Sequence, residues 1–241
     1  MINIAEEMQK MREAIPEPLR VAGMMIPLAA ATDAYALSAQ QEIIRRYFRY
    51  NWEYKRRIES KETVSIAEKL MQQVGVKVTD RPTVIAARKA AEKAEELGKG
   101  NRGVYCGAAI QLAGDEIVTG INTPLLHAES AAVLNAVKKL AQIPEQIDLL
   151  AENIISHIAA LKKDILGGKA ASLNVEEVLV ALSICAAANP TAEFCMQKLR
   201  SLGNCDMHST HVIGSGDQNG LRKLQLNLTT DALPTSRGFY Y

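Results

Sequence analysis

The stretch from Val104 to Lys139 constrains the fold more than any other part of the chain. An apolar segment over residues 103–112 predicts a strand with no solvated face, Ala113-Gly114-Asp115 predicts a turn, and residues 116–121 predict the antiparallel partner. A helix over residues 127–141 follows, with small apolar residues on one side that favour close packing on a sheet. A hairpin followed by such a helix indicates an α/β layer.

The remaining sequence divides into a helical half and a mixed half. Helices with recognisable start and stop signals are predicted over residues 2–14, 32–59, 60–74 and 82–97. Beyond Gly100, we predict a third strand over residues 147–150, helices over 153–163, 175–188 and 190–202, a strand over 207–213, a short helix over 217–223 and a last strand over 224–228. The expected fold class is α/β, with a helical subdomain over residues 1–100 and an α/β domain over 101–241.

Composition narrows the functional classes. With 28 basic and 27 acidic residues, the net charge of +1 gives no general attraction to nucleic acid or an anionic membrane. Arginines and aromatic residues alternate between Arg45 and Arg57, but a helix with a solvated basic face explains them more simply than nucleic-acid binding does. The N-terminus lacks the pattern of a secretory signal, and the four cysteines lack paired spacing, which favours a reducing cytoplasm.

The triplet His127-Ala128-Glu129 lies where zinc-dependent nucleoside and nucleobase deaminases carry a metal ligand and a proton-transferring glutamate. Those enzymes complete the site with two thiolates from a Pro-Cys-x-x-Cys turn at another helix start. The best matching turn here begins at Asn189-Pro190 and has Thr191 and Phe194 in the thiolate positions. The sequence therefore predicts a deaminase-like pocket without a complete zinc site.

A second group of candidate residues lies between Cys205 and His211. If this segment is a strand, alternation places His208 opposite both Cys205 and His211, so a converging metal site is disfavoured. His208 at the end of such a strand is a natural acid or base at neutral pH. We expect these polar residues to line one pocket, as catalytic groups or as ligand-binding groups: Thr123, His127, Glu129, Asn189, His208 and His211.

The loop Gly214-Ser215-Gly216-Asp217-Gln218-Asn219-Gly220 is a third candidate. Its amides, followed by a short helix, offer an anion-binding cradle, although a solvated connection is the simpler interpretation. The chain contains no Walker A pattern and no HExxH, GxSxG or GxGxxG motif. The usual support for a peptidase or a dinucleotide-binding enzyme is therefore missing.

Several of these stretches, taken together and in order, resemble the C-terminal part of the bacterial "domain of unknown function 1846" proteins. The matching stretches are GKGNRGVYCGAAIQL, EIVTGINTPLLHAESAAVLNAVKKLA, LNVEEVLVALSICAAANPTAE, LGNCDMHSTH and LRKLQLNLT. The resemblance implies a helical subdomain joined to a cytidine-deaminase-like α/β layer, in a family without an established function. It also implies that the Cys205–His208 segment and the Asn189-Pro190 turn are shared features, whereas His127 and Glu129 are not.

Members of this family carry an additional nucleotide-binding-like domain that has no counterpart here, so the resemblance implies a split gene product or a C-terminal fragment. Our leading hypothesis is a cytoplasmic small-molecule-binding or assembly module with no cofactor and no metal. Its expected partners are a nucleotide-binding domain supplied in trans and further copies of the chain, with nucleic acid and membranes disfavoured. The alternative is a metal-assisted hydrolase or deaminase that uses His127 and Glu129; among the expected catalytic residues are Glu129 and His208.

Overall fold

The computed structural model describes the backbone of residues 25–168 and 171–233, with side chains from residue 36 onward. The chain divides into two compact units, Met1–Ile43 and Ile44–Tyr241. The sheet and all described helices except the first part of the helix Met25–Lys55 belong to the second unit. The helix predicted over residues 2–14 lies outside the described residues. No helix among the described residues is both long enough and apolar enough to cross a membrane.

Eight α-helices lie within the described residues. They are α1 Met25–Lys55, α2 Lys61–Val74, α3 Pro82–Glu96, α4 Ala128–Leu140, α5 Glu152–Ala160, α6 Val175–Ala186, α7 Pro190–Gln197 and α8 Ser215–Lys223. A π-helical turn, Leu161–Ile165, continues α5, and a 3-10 turn, Lys198–Leu202, continues α7. Local chemistry fixes several of these ends: Ser60 caps α2 with its hydroxyl, Pro82 starts α3, and Asn174 caps α6.

A four-stranded mixed sheet forms the centre of the second unit. Its strands are β1 Gly107–Gln111, β2 Ile117–Ile121, β3 Asp206–His211 and β4 Asn227–Leu233, in the order β2-β1-β3-β4. β1 runs antiparallel to both β2 and β3, and β3 runs parallel to β4. The mixed α/β class predicted from the sequence is therefore confirmed.

Helices cover both faces of the sheet at very short range. On one face, a Cβ atom added to Gly107 would lie 2.1 Å from the carbonyl oxygen of Ala87 in α3. On the other face, a Cβ atom added to Gly120 would lie 2.2 Å from the backbone nitrogen of Ala132 in α4. Because helices cover both faces, β1 has no solvated face, as predicted. The predicted hairpin and the helix that follows it are also confirmed.

Three predicted elements differ from the structure. Residues 147–150 are not a strand: the carbonyl oxygens of Glu145 and Ile147 accept hydrogen bonds from the Lys138 ammonium group, and Leu149 and Leu150 are buried in a connecting segment. The last strand lies further along the chain than residues 224–228, because Leu224 still ends α8. The helix predicted to start near residue 32 already begins at Met25.

Candidate functional site

The start of α4 is held against the segment that precedes α6. His127 is the N-cap of α4, and its backbone N–H donates to the carbonyl oxygen of Leu173 at 3.0 Å. The Ser130 hydroxyl donates to the same carbonyl oxygen at 3.0 Å. In the turn that precedes the helix, the Thr123 hydroxyl accepts hydrogen bonds from the N–H groups of Leu125 and Leu126. These contacts fix where the side chains of the first helical turn point.

Asp217, in the first turn of α8, brings a second helix start to the same place. One oxygen, Oδ2, lies 2.7 Å from Nδ1 of His127. The other, Oδ1, accepts a hydrogen bond from the backbone N–H of Val175, the first residue of α6, at 2.9 Å. Asp217 is almost completely buried and joins the starts of α4, α6 and α8.

Glu129 completes the group from the first turn of α4. Its Oε1 accepts a hydrogen bond from the Ser209 hydroxyl on β3 at 2.5 Å, and both residues are buried. One ligand atom each from His127, Glu129 and Asp217 lie within 4.8 Å of one another. Only the His127 side chain is partly exposed, at 33%, so solvent reaches this cluster from the histidine side. We refer to His127, Glu129, Asp217 and Ser209 as the His127 cluster.

The charges of the His127 cluster are strongly coupled. Burial, followed by the negative charge of Asp217, raises the pKa of Glu129 to about 7, although the Ser209 hydrogen bond and His127 oppose this. For His127, burial lowers the pKa, but the hydrogen bond and the charge of Asp217 outweigh it and the net direction is upward. Two buried carboxylates therefore compete for the single positive charge that His127 can carry.

Cys106 lies close enough to this cluster to respond to its charges. Burial, and then the negative charges of Glu129 and Asp217, raise the pKa of its thiol far above the ordinary value. A thiol in this state is protonated at neutral pH and is a poor nucleophile. Cys106 is therefore not expected to supply a reactive thiolate.

The structure places His208 on the opposite face of the sheet from Glu129. Its Nδ1 lies 2.9 Å from the Thr229 hydroxyl, its Nε2 lies 3.3 Å from Oδ2 of Asp231, and its ring packs against Phe48 of α1. The side chain is completely buried, and burial lowers its pKa despite the neighbouring Asp231. His208 is therefore not brought to the His127 cluster, whereas its neighbour Ser209 is.

Two further predicted pocket residues, Asn189 and His211, lie at a helix cap and at a strand end. Asn189 caps α7 by accepting hydrogen bonds from the N–H groups of Thr191 and Ala192. His211, at the end of β3, has its Nδ1 2.7 Å from the Thr210 hydroxyl. Cys185, which the sequence places beside the Asn189 turn, accepts a hydrogen bond from the Ala151 N–H, and its thiol is not part of the His127 cluster. The His211 backbone does reach the cluster, because its N–H and its carbonyl oxygen each lie 3.4 Å from the Ser209 hydroxyl oxygen, but the hydrogen bonds of the Asn189 side chain stay within its own turn.

Sequence reasoning identified His127 and Glu129 but gave Asp217 no role as a site residue. The available signal was the glycine-rich stretch Gly214–Gly220, which the sequence predicts as a loop, an anion cradle or a solvated connection; the loop prediction is wrong, because Ser215–Lys223 form α8. Its acidic residue instead points to a histidine 90 positions earlier. Spacing along the chain does not reveal that the starts of α4 and α8 meet.

Comparison with known sequences assigns the chain to a protein family. The profile described as "Domain of unknown function DUF1846, C-terminal" matches residues 79–240. The chain belongs to the DUF1846 family. This bears out the resemblance drawn from the sequence, and the match includes His127, Glu129, Ser209 and Asp217.

Curated relatives in the DUF1846 family are named UPF0371 proteins, a name that states no activity. One from Clostridium tetani is 38% identical over 204 residues, which is 85% of this chain and 40% of the relative. One from Clostridium botulinum strain ATCC 19397 is 40% identical over 205 residues, with the same coverage of both chains. The chain thus spans about 40% of the length of these relatives.

Proposed function

We propose that this domain is a metal-assisted hydrolase with a deaminase-like α/β layer, whose centre is one divalent cation held by His127, Glu129 and Asp217. The observation that carries the proposal is the convergence of three ligand atoms within 4.8 Å from two separate helix starts. Two of these residues are buried, and the third faces solvent. Catalytic metal sites have this form, with three protein ligands and an open position for water or substrate.

The charge balance of the cluster supports a cation. If Glu129 and Asp217 are both ionised, two buried negative charges face at most one positive charge on His127. Buried charges of this kind are tolerated when they are paired or when they coordinate a metal. A divalent cation in contact with both carboxylates would remove the repulsion that otherwise leaves Glu129 protonated near neutral pH.

The donor set indicates which cations to test. One imidazole nitrogen and two carboxylate oxygens suit Zn²⁺ or Mn²⁺ better than a metal that prefers thiolates. Bound there, the cation would lower the pKa of a coordinated water and so provide a hydroxide for hydrolysis. The chain's own residues would orient the centre: Val175 N–H holds Asp217, and the Ser209 hydroxyl holds Glu129.

The deaminase-like part of the proposal rests on the order of elements. A hairpin leads into a helix that starts with His-Ala-Glu, and Asp217 stands at a second helix start, where zinc deaminases have thiolates. In those enzymes the glutamate moves protons and is not a ligand. With carboxylates in place of two thiolates, we propose that Glu129 joins the ligands.

A metal-free small-molecule-binding domain is the second candidate. It is favoured because both carboxylates already have hydrogen-bond partners without a metal: Asp217 bonds to His127 and Val175, and Glu129 bonds to Ser209. In that case Glu129 carries a proton and would bind a ligand as a hydrogen-bond donor. An additional domain, such as the nucleotide-binding domain expected in trans, would then act on the ligand, and the greater length of the relatives is consistent with it.

Metal analysis separates the two candidates. The full chain, purified without chelator, is examined for bound metal by elemental analysis and then titrated with Zn²⁺ and Mn²⁺ by calorimetry after chelator treatment. The natural protein should bind one equivalent, and Asp217→Asn and His127→Ala should each weaken binding by about 100-fold or more. Asp231→Asn is the matched control, because Asp231 is a partly buried carboxylate beside a histidine, on the other face of the sheet.

Circular dichroism establishes that each variant is folded before it is titrated. If the natural protein neither retains nor binds either cation, the metal-assisted proposal is wrong and the binding-domain candidate stands. Binding that survives unchanged in Asp217→Asn would mean that the cation is held elsewhere.

A further inference from the structure

The outward face of α6 is unusually apolar for a helix at the surface. No charged residue occurs between Glu177 and Glu193, a stretch that includes the last nine residues of α6. The inner face packs into the core through Val178, Ala181 and Leu182, each completely buried. The outer face nevertheless has Val180 at 58% and Ile184 at 48% exposure. A helix that is apolar on every side is normally buried on every side.

The turn after α5 extends this apolar surface. Leu161, Ile165 and Leu166 are exposed by 46%, 75% and 70%. The Lys162 ammonium group lies 2.7 Å from Glu177 of α6, which ties the turn to that helix. On α6, Val180 and Ile184 follow Glu177 by three and seven residues and share its side of the helix. The two apolar stretches are therefore neighbours, and together they form what we call the α6 face.

The size of the α6 face fits a protein interface. Its five large side chains expose on the order of 400 Å² of apolar surface, which is in the range of the largest patch on a typical monomer. Standard interfaces bury about 800 Å² on each partner, of which somewhat more than half is apolar. The α6 face has the area expected for the apolar centre of such an interface.

The charges around the α6 face fit a second copy of the same chain. In a two-fold dimer the same patch lies on both partners, so an uncompensated charge would be placed opposite itself. Among the described residues, the charges next to this face are paired within the chain: Glu177 pairs with Lys162, and Glu176 pairs with Lys223 at 2.7 Å. Exposed Lys163 and Asp164 are adjacent and opposite in sign. The face can therefore meet itself without like-charge repulsion.

We propose that the α6 face, made of Leu161, Ile165, Leu166, Val180 and Ile184, is the dimer interface of this chain, and that it packs on the same face of a second copy across a two-fold axis. Ser183, between the two exposed aliphatic residues of α6, is small enough to let the two helices approach closely. The inference is independent of the proposed metal centre, because none of the five residues belongs to the His127 cluster.

Sedimentation equilibrium of the full chain tests the dimer. The natural protein should fit a monomer–dimer equilibrium at micromolar concentration, and Ile184→Asp should raise the dimer dissociation constant by about 100-fold or more, because it buries an unpaired charge in the interface. Leu166→Asp should have the same effect from the turn after α5. Ile66→Asp is the matched control, because Ile66 of α2 is also an exposed isoleucine, at 67%, outside the α6 face.

Circular dichroism checks that the variants are folded, and Leu166→Asp keeps the test decisive if Ile184→Asp does not fold. Dimers that are lost in both α6-face variants and kept in Ile66→Asp would support the interface. A natural protein that is still monomeric at about 0.1 mM would overturn the proposal, since interfaces of this size have dissociation constants well below that concentration. A dimer that both variants retain would place the interface elsewhere.

Discussion

At the scale of single residues, Glu129 is the group whose charge state most affects the molecule. Its carboxylate is buried between Ser209 and the negative Asp217, so the neutral form is favoured and the pKa rises from 4.5 to about 7. A buried group that titrates near neutral pH and borders a solvent-accessible histidine is typical of a functional site. The same shift also affects the stability of the fold.

Glu129 should make the metal-free protein less stable as the pH rises. In the unfolded chain the glutamate ionises near 4.5, but in the folded protein it holds its proton to about 7. Its favourable effect is therefore complete below pH 4.5, declines between 4.5 and 7, and is lost above 7, which amounts to about 3 kcal/mol. Urea unfolding at pH 5.5 and 8.0, with chelator present, should show about 2 kcal/mol of this decline, the part that occurs above pH 5.5.

Glu129→Gln is the matched variant for that measurement. It retains the acceptor for the Ser209 hydroxyl but cannot ionise, so its stability should fall less over this pH range and exceed that of the natural protein at pH 8.0. Equal pH dependence in the two proteins would show that Glu129 does not titrate as described.

Asp217 should set the protonation of His127. Burial alone lowers the pKa of His127, and the hydrogen bond and charge of Asp217 reverse that effect. In Asp217→Asn we expect the His127 pKa to fall, because the anion is lost while the amide oxygen can still accept the hydrogen bond of Val175 N–H. NMR titration of the histidine ring in metal-free protein gives the value. Asp164→Asn, at an exposed position, is the control and should leave the His127 pKa unchanged. A His127 pKa that is also unchanged in Asp217→Asn would contradict the pairing of His127 with Asp217.

The sequence identified one half of the His127 cluster and not the other. His127 and Glu129 are two positions apart at a helix start, so a local pattern finds them. Asp217 and Ser209 reach the same place from α8 and β3, more than 75 positions away, and only the packing of these elements reveals them. The alternation of side chains along a strand places the successive residues His208 and Ser209 on opposite faces, but it does not indicate which face contains the cluster.

At the scale of elements, two glycines allow helices to lie directly on the sheet. Gly107 faces α3 and Gly120 faces α4, and neither position has room for a Cβ atom. The short distance between Gly120 and α4 determines how far the first turn of that helix, with His127 and Glu129, stands from β3. A change at this position should therefore affect the fold and the cluster together.

Gly120→Ala tests this packing. The new methyl group would lie 2.6 Å or less from the backbone of Ala128 and Ala132, so α4 must shift, and we expect a loss of about 2 kcal/mol or more in the free energy of unfolding. Gly203→Ala is the matched control, because its nearest neighbours lie at 3.5 Å, and it should change stability by less than about 0.5 kcal/mol. Chemical denaturation measures both, and equal stabilities would show that α4 does not rest on Gly120.

Elements with a strong local signal were predicted well, and elements defined by tertiary contacts were not. Ser60 and Pro82 mark the starts of α2 and α3, and the hairpin turn lies where the sequence indicates. Residues 147–150 are apolar because Leu149 and Leu150 enter the core, which does not require a strand. Leu221 and Leu226 are buried for the same reason, so the apolar run around them did not mark the start of β4.

At the scale of the whole molecule, the chain matches only part of the length of its relatives. It spans about 40% of the UPF0371 proteins from the two Clostridium species. The function proposed for this chain therefore concerns that part of the longer proteins. The two proposals made here concern different surfaces. The His127 cluster opens at the starts of α4 and α8, and the α6 face lies on the outer side of α6 and the turn after α5.

A crystal of the full chain soaked with Mn²⁺ tests the metal centre most directly, because anomalous scattering locates the cation. We predict one strong peak with a nitrogen of His127 and an oxygen each of Glu129 and Asp217 at about 2.0–2.3 Å. The same soak of Asp217→Asn crystals should show no peak there. A natural protein without a peak at this position, or with a cation bound to neither Glu129 nor Asp217, would contradict the account.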